Sequence, residues 1–564
     1  MTRSIMRPLL ALFLMLGVLG AGPAGAQAAP RVTVVVGAQP GSERAAARLV
    51  QRLGGDVGSR ISIIHGFAAR VPAAALPRLR RSAAVRSVAR DTALTLSSTA
   101  PVDADATAIA PPPADIPTDA PADEVAHEAI TDAAQEAAGA PLVPDPVASG
   151  EDTVGVVQDA VADPVAPVVP EADDGPARAR ASMDLIRAAT GAEQSGLTGA
   201  GVDVALIDSG VIGVGALGGA GKLVRGPDFS DDAWDPDRRG LDAFGHGSHM
   251  AGVIAGSDAG SGYRGIAPGA RLVSVKVADA DGVTSLVRVL MALDWVRHHR
   301  DRDGLHIRVV NLSFGVDSRR SYVREPLAYA AEQLWQRGVT VVAAAGNQAD
   351  GTGRLDLPAA DPFLIAVGAS DTGGTAETGD DTVADFSSRD ANRPPDVVAP
   401  GTGVISLRVP GSTLDSEFPA ARIGEGFFRG SGTSQATAVV SGLVALLLQA
   451  RPGLSPDQVK VLLRGGATGL AADVSAAGAG AVDVQRSLAL ETPAQADAAQ
   501  PYAPAVLDLV ALWADLREES SGDAPGVGTG ENGWTGRRWS GRRWSGRRWS
   551  GRRWSGNDWS ADAQ

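Results

Sequence analysis

The chain has 564 residues, no cysteine and a formal net charge of −14. That length calls for more than one domain. The lack of thiols excludes cysteine nucleophiles and cysteine-bound metals, and the acidic balance argues against bulk nucleic-acid binding.

Residues 1–28 read as an export signal. Arg3 and Arg7 precede an apolar run, 9–19, and Ala26-Gln27-Ala28 supplies a small-x-small cleavage site. The run falls short of the ~20 apolar residues that a membrane-crossing helix needs. The protein is therefore expected to be secreted and extracellular, and a chain of this size can build its core there without disulfides.

Residues 31–91 alternate strand and helix signals. Strands are predicted at 31–36, 61–64, 66–71 and 85–88, with helices at 42–53 and 73–80. This β-α-β-β-α-β order is that of a small ferredoxin-like α+β domain. The same stretch carries eleven Arg against three acidic residues. From 98 to 177 the composition changes to an acidic, Pro/Ala-rich linker. Seventeen Asp or Glu and no Lys or Arg lie between 101 and 177. So much like charge over so little apolar surface keeps a segment unfolded, although 122–138 could form a transient helix.

A larger block, 178–490, follows. Apolar strand signals at 204–207, 272–277, 307–312, 339–344, 363–367 and 397–398 alternate with helices at 285–298 and 323–336. Continuous apolar strands separated by helices imply an α/β domain, with a doubly wound, mostly parallel sheet covered on both faces. Ligands bind such sheets at the carboxyl ends of the strands, and both Asp208 and Asn347 fall there. Beyond 491 a linker contains one candidate amphipathic helix, 502–517. A Trp-Ser-Gly-Arg-Arg repeat then places Trp534, Trp539, Trp544, Trp549, Trp554 and Trp559 at five-residue intervals. That period matches neither helix nor strand, so 534–564 is expected to be a flexible tail.

Three strings in the central block carry chemistry: Asp208-Ser209-Gly210, His246-Gly247-Ser248-His249 and Gly432-Thr433-Ser434-Gln435-Ala436. A serine hydroxyl is a weak nucleophile until an imidazole can take its proton, and a carboxylate fixes the imidazole's tautomer. Taken singly, Asp208 could cap a segment and Ser434 could be a helix N-cap. His246 and His249 could ligate a metal only with partners that the sequence does not single out, so no metal site is assigned.

In that Asp, His, Ser order, residues 178–490 resemble a subtilisin-type serine peptidase, a subtilase. The resemblance implies Asp208, His246 and Ser434 as the catalytic triad. Asn347, in Ala343-Ala344-Ala345-Gly346-Asn347, would be the oxyanion donor beside the Ser434 backbone N–H. It implies that Ser313, Phe314 and Gly315 bind the substrate backbone. Asp356, just before Leu357-Pro358-Ala359, would line the pocket for the side chain preceding the cut and draw Arg or Lys. Asp385-Phe386-Ser387-Ser388 and Asp396-Val397-Val398-Ala399-Pro400-Gly401 also fit the family pattern. Ala438 and Val439 depart from it, where Pro and often His are usual.

Through Gly66-Phe67-Ala68-Ala69, segment 29–97 resembles the inhibitor prodomain that precedes many such enzymes. The expected function is a secreted serine endopeptidase made as a prodomain-inhibited zymogen. It would act on proteins or peptides through an acyl-enzyme and need no cofactor, with structural calcium as a family expectation. Its activity should fall as acid protonates the imidazole, whose ordinary pKa is about 6.5. The rival expectation is a non-catalytic protein on a peptidase scaffold that binds anionic surfaces through its Arg/Trp tail.

Overall fold

The structure, a computed structural model, describes residues 30–91, 93–95, 174–213, 215–316, 321–348 and 354–498. The export signal, the helix expected at 502–517, the repeat tail and all but the end of the acidic linker lie outside these residues.

The N-terminal unit has the order anticipated: β1 (Arg31–Ala38), α1 (Glu43–Arg52), β2 (Asp56–Ile61), β3 (Gly66–Pro72), α2 (Leu76–Arg80) and β4 (Val85–Arg90). Its strands form one antiparallel sheet in the order β2-β3-β1-β4. Val34 and Val36 of β1 meet Val50, Leu79 and Val88 in a small core. Two local expectations were wrong. The strand expected at 61–64 ends at Ile61, and Ser62–Ile64 turn as a short 3-10 helix closed by His65 in a left-handed conformation, φ 51°. This turn drives Ile63 and Ile64 into the neighbouring domain's core. The helix expected at 73–80 begins as a 3-10 turn and becomes α-helical only at Leu76, where Pro77 fits the first turn. A last short strand, β5 (Ala93–Thr95), leaves the unit.

The second domain starts three residues earlier than expected, with helix α3 (Gly175–Ala189). The strands that bear on the site are β6 (Asp203–Asp208), β7 (Leu223–Asp228), β8 (Arg271–Lys276), the short strand β9 (Val283–Ser285), β10 (Ile307–Leu312), β11 (Thr340–Ala344), β12 (Ile365–Asp371), β13 (Thr382–Val383) and β14 (Val397–Pro400). The main sheet runs β13-β12-β11-β10-β6-β8-β7 with β14 also on β12. It is parallel except for β13. β6 is buried along its whole length, as a parallel strand covered on both faces must be.

The helices relevant below are α4 (His246–Ala255), α5 (Leu286–His299), α6 (Pro326–Trp335) and α7 (Thr433–Ala450). The helix expected at 323–336 is cut short by Pro326, which starts α6 after a 3-10 turn at Tyr322–Arg324. Among the described residues α7 alone is long and apolar enough to cross a membrane. It is 89% buried within the protein and serves as the domain's central helix.

Candidate active site

Asp208 is the last residue of β6 and is buried. Its Oδ1 accepts from the Ser209 backbone N–H at 2.8 Å and lies 2.8 Å from Nδ1 of His246. His246 is equally buried and opens α4. The close approach of the two segments depends on a missing side chain. A Cβ on Gly247 would fall 2.1 Å from the carbonyl oxygen of Gly210.

A second carboxylate, not singled out in the sequence, holds this junction. Asp242 accepts from the N–H groups of Gly245 and Ser248 at 2.7 Å each and from the Ser209 hydroxyl at 2.8 Å. The Ser209 hydroxyl in turn accepts from Gly247 N–H at 2.9 Å. Burial pushes the Asp242 carboxyl above its ordinary range, and these hydrogen bonds, with the Lys276 charge, pull it back. A carboxylate four residues before His246 was the available signal.

His249, one turn along α4, takes no part in the pair. Its Nε2 faces the Phe428 carbonyl at 3.0 Å. Burial first, then repulsion from a charged His246, lowers its pKa to about 3. It is a neutral core imidazole.

Ser434 lies in the first turn of α7, which packs against α4. Its hydroxyl donates to the carbonyl of Ser313 at 2.8 Å, and the Ser313 hydroxyl donates to the Ser434 carbonyl at 2.9 Å. This reciprocal pair fastens the segment after β10 to the start of α7. Asn311 supports it from below, donating to the Ser313 hydroxyl at 2.7 Å while accepting from Ser441 at 2.8 Å.

Asn347 follows β11 and turns its amide toward the same helix. Its Oδ1 accepts from both the N–H and the hydroxyl of Thr433, each at 2.9 Å. With the oxygen anchored, the Nδ2 end is left to face the space beside the Ser434 N–H. Both groups lie within 3.6 Å of the position a Cβ on Gly432 would take. Thr433 was not anticipated as this clamp. Its hydroxyl also accepts from Gly346 N–H at 3.2 Å, and Ser388 of the Asp-Phe-Ser-Ser string braces the loop from the other side through Gln348 N–H at 3.0 Å.

Phe314 is buried. Gly315 and Gly346 flank Asp356, whose carboxylate oxygen lies 3.2 Å and 2.6 Å from the positions their Cβ atoms would occupy. Asp356 is 5% exposed, between the Ser313–Gly315 segment and the Asn347 loop. All eight residues singled out in the sequence therefore gather at the carboxyl ends of β6, β10 and β11 and the first turns of α4 and α7.

The N-terminal unit is joined to the second domain through an added strand and a side-chain contact. β5 pairs antiparallel with β9, Thr95 opposite Val283 and Ala93 opposite Ser285. Asp91 accepts from Val287 N–H at 3.1 Å, at the start of α5.

Residues 199–488 match the Subtilase family. Serine protease AprX of Bacillus subtilis (strain 168) is 37% identical over 302 residues, 52% of this chain and 67% of its own length. M-protease of Shouchella clausii (strain KSM-K16) is 35% identical over 285 residues, 50% of this chain and 63% of its own. Subtilisin Savinase of Lederbergia lenta is also 35% identical over 285 residues, here 89% of the relative. Among solved structures, fervidolysin from Fervidobacterium pennivorans, described as a keratinolytic enzyme related to subtilisin, superposes with a TM-score of 0.55 at 22% identity. That match covers 83% of this chain and 62% of fervidolysin, and it speaks for the fold.

Proposed function

Because the chain belongs to the subtilase family of subtilisin-like serine endopeptidases, we propose that Asp208, His246 and Ser434 hydrolyse peptide bonds through an acyl-enzyme. The observation that carries this reading is the buried Asp208–His246 pair, 2.8 Å apart, with His246 on a helix packed against the one that presents Ser434. Asp208 holds Nδ1 of His246, which leaves Nε2 to take the proton of Ser434. To react, the hydroxyl leaves the Ser313 carbonyl and turns to that nitrogen, a tightening that substrate binding normally brings. The Ser434 N–H and Asn347 Nδ2 then receive the oxyanion, and Thr433 keeps the asparagine amide facing it. Water resolves the acyl-enzyme by the reverse proton path.

Subtilases need no cofactor for this chemistry. Among the described residues no group of three or more His, Asp or Glu side chains is set to hold a metal.

The N-terminal unit would act as an intramolecular inhibitor and folding aid until it is cut away. β5 supports this reading, since it lies on β9 as a substrate strand would. Ser313, Phe314 and Gly315 would bind the substrate backbone, and Asp356 would add a preference for Lys or Arg before the cut. It cannot impose a requirement if the enzyme frees itself near residue 97, because no Lys or Arg occurs between Arg90 and Arg178. Comparing cleavage after Arg with cleavage after Leu or Phe in matched peptides measures this preference. Secretion is proposed from the N-terminal signal, and the tail from 534 onward is proposed as a contact for anionic surfaces.

The deciding experiment is labelling of the mature protein with a serine-directed phosphonate. Modification should map to Ser434 and disappear in Ser434→Ala together with proteolysis. Retained proteolysis in that variant would refute the proposal.

A further inference from the structure

Arg44, Arg48 and Arg52 of α1 recur at four-residue spacing, so they form one stripe along the helix, and all three are exposed. Like charges one turn apart destabilise a helix, and Arg44 adds positive charge to the positive end of the helix dipole. The unit's own acids do not offset this. Glu43 faces His65 at 3.2 Å, Asp56 pairs with Arg31, and Asp91 accepts from the Val287 N–H. The second domain cannot offset it either. Ala46 and Val50 of α1 pack with Val34 and Val36 on one face of the sheet, whereas Val35, Ala68 and Ala89 of the other face meet that domain. The stripe therefore lies on the unit's outer side. Arg78 and Arg81, at the end of α2 in the same layer, are exposed and add to its charge.

Unpaired cations in a row call for a polyanion, and the chain supplies one. Residues 101–177 hold seventeen Asp or Glu and no Lys or Arg. The segment 96–173 starts beside this unit, after β5, and ends at the second domain, before α3. Fully extended it would reach roughly 250 Å, far more than is needed to pass around a unit of this size. An exposed Arg–carboxylate pair is weak by itself. A partner on the same chain is present at an effective concentration of up to roughly millimolar, so several weak pairs suffice.

We propose that the acidic linker binds the outer side of the N-terminal unit, with Arg44, Arg48 and Arg52 as its contact. One consequence rests on the zymogen reading above. A cut near residue 97 leaves the linker on the enzyme, so the freed unit is held at a second place besides its buried contact with the second domain. Its release then depends on salt.

The test uses the full chain with Ser434→Ala, which stays uncut. The chain has no cysteine, so a dye pair attaches only where thiols are introduced. One is Gln51→Cys on α1; the other, in separate proteins, is Thr118→Cys, Gln135→Cys or Gln158→Cys. Energy transfer is followed from ~0.01 M to ~1 M salt, over which the screening length shrinks from ~30 Å to ~3 Å. A bound linker should give transfer that falls about twofold or more over this range. Arg44→Gln, Arg48→Gln and Arg52→Gln together should abolish the low-salt transfer, and the corresponding lysine substitutions should retain it; both residues keep the helix. A free acidic linker repels itself and contracts as salt is added, so transfer that rises with salt would overturn the proposal. So would a low-salt signal that persists in the glutamine variant and vanishes on deleting 534–564, since the repeat tail would then hold the linker. In the chain with Ser434 intact, the glutamine changes should shorten the delay before activity appears by roughly threefold or more at low salt. They should leave it unaltered at high salt, and an equal delay at low salt would remove the second hold. A chain that never becomes proteolytic would bring down the peptidase reading instead, with the transfer result still deciding where the linker binds.

Discussion

Asp208 makes its bond to His246 without help from bulk solvent, because both side chains are buried. Asp208→Asn keeps the shape but offers the wrong tautomer partner, and kcat should fall roughly 10⁴-fold with KM little changed. Asn347→Ala removes a proposed oxyanion donor and should lower kcat about 10²–10³-fold, a magnitude taken from subtilisin itself. Steady-state kinetics on a single peptide reads both. His249 gives a different signal. The unfolded chain binds its proton below about 6.5, whereas the folded protein excludes it until about 3, so stability is lost as pH falls through that window. Thermal melts should show Tm dropping across this range, and His249→Asn should flatten the slope. An unchanged slope would mean that other groups carry the acid sensitivity. At this scale the sequence singled out the side chains proposed to react, because small neighbours and chain order mark them. It hid Thr433, Ser209 and Asp242, since their roles arise only when distant segments meet.

Elements tell a similar story through their boundaries. β6, β8 and β10 were legible because a strand buried on both faces must be apolar throughout. The turn at Ser62–Ile64 was not, since Ile63 and Ile64 look like strand residues and are apolar for another reason, their burial against a second domain. Pro326 should have stopped the helix drawn through it, and the apolar periodicity outweighed it. The junction of β6 and α4 offers a direct test. Gly247→Ala would press a methyl against the Gly210 carbonyl, 2.1 Å away, and force the catalytic pair apart. Phosphonate labelling of Ser434 should slow by at least about tenfold, the cost of a barrier change near 1.4 kcal/mol. Circular dichroism should retain the α/β signature. Undiminished labelling would show that the helix shifts without disturbing His246.

Across the whole molecule, the two folded units share one apolar core. Val35, Ile61, Ile63, Ile64, Ala68 and Ala89 of the N-terminal unit join it. Around this seam Ser62 donates from its N–H and hydroxyl to Asp294 at 2.9 and 3.0 Å, and Arg86 lies 3.4 Å above the ring of Tyr329. The Arg86 contact is worth about 0.5–2 kcal/mol when partly desolvated. Arg86→Ala should therefore weaken binding of a separately added N-terminal unit by roughly 2- to 30-fold, measurable by inhibition of peptide cleavage. The expected domain order came from pattern and composition, with eleven Arg in 31–91 followed in sequence by an acidic linker. The mode of attachment could not, because it lies in the side of a sheet that a lone domain would turn to water.

That shared seam separates two events that are easily taken for one. Severing the backbone after β5 removes a covalent tether but leaves the buried isoleucines, the Asp294 bonds and the added strand in place. The fragment would then persist as a bound tenant of the mature enzyme. On the zymogen reading proposed above, its departure, or its digestion by molecules already released, would set the delay before newly made enzyme becomes active.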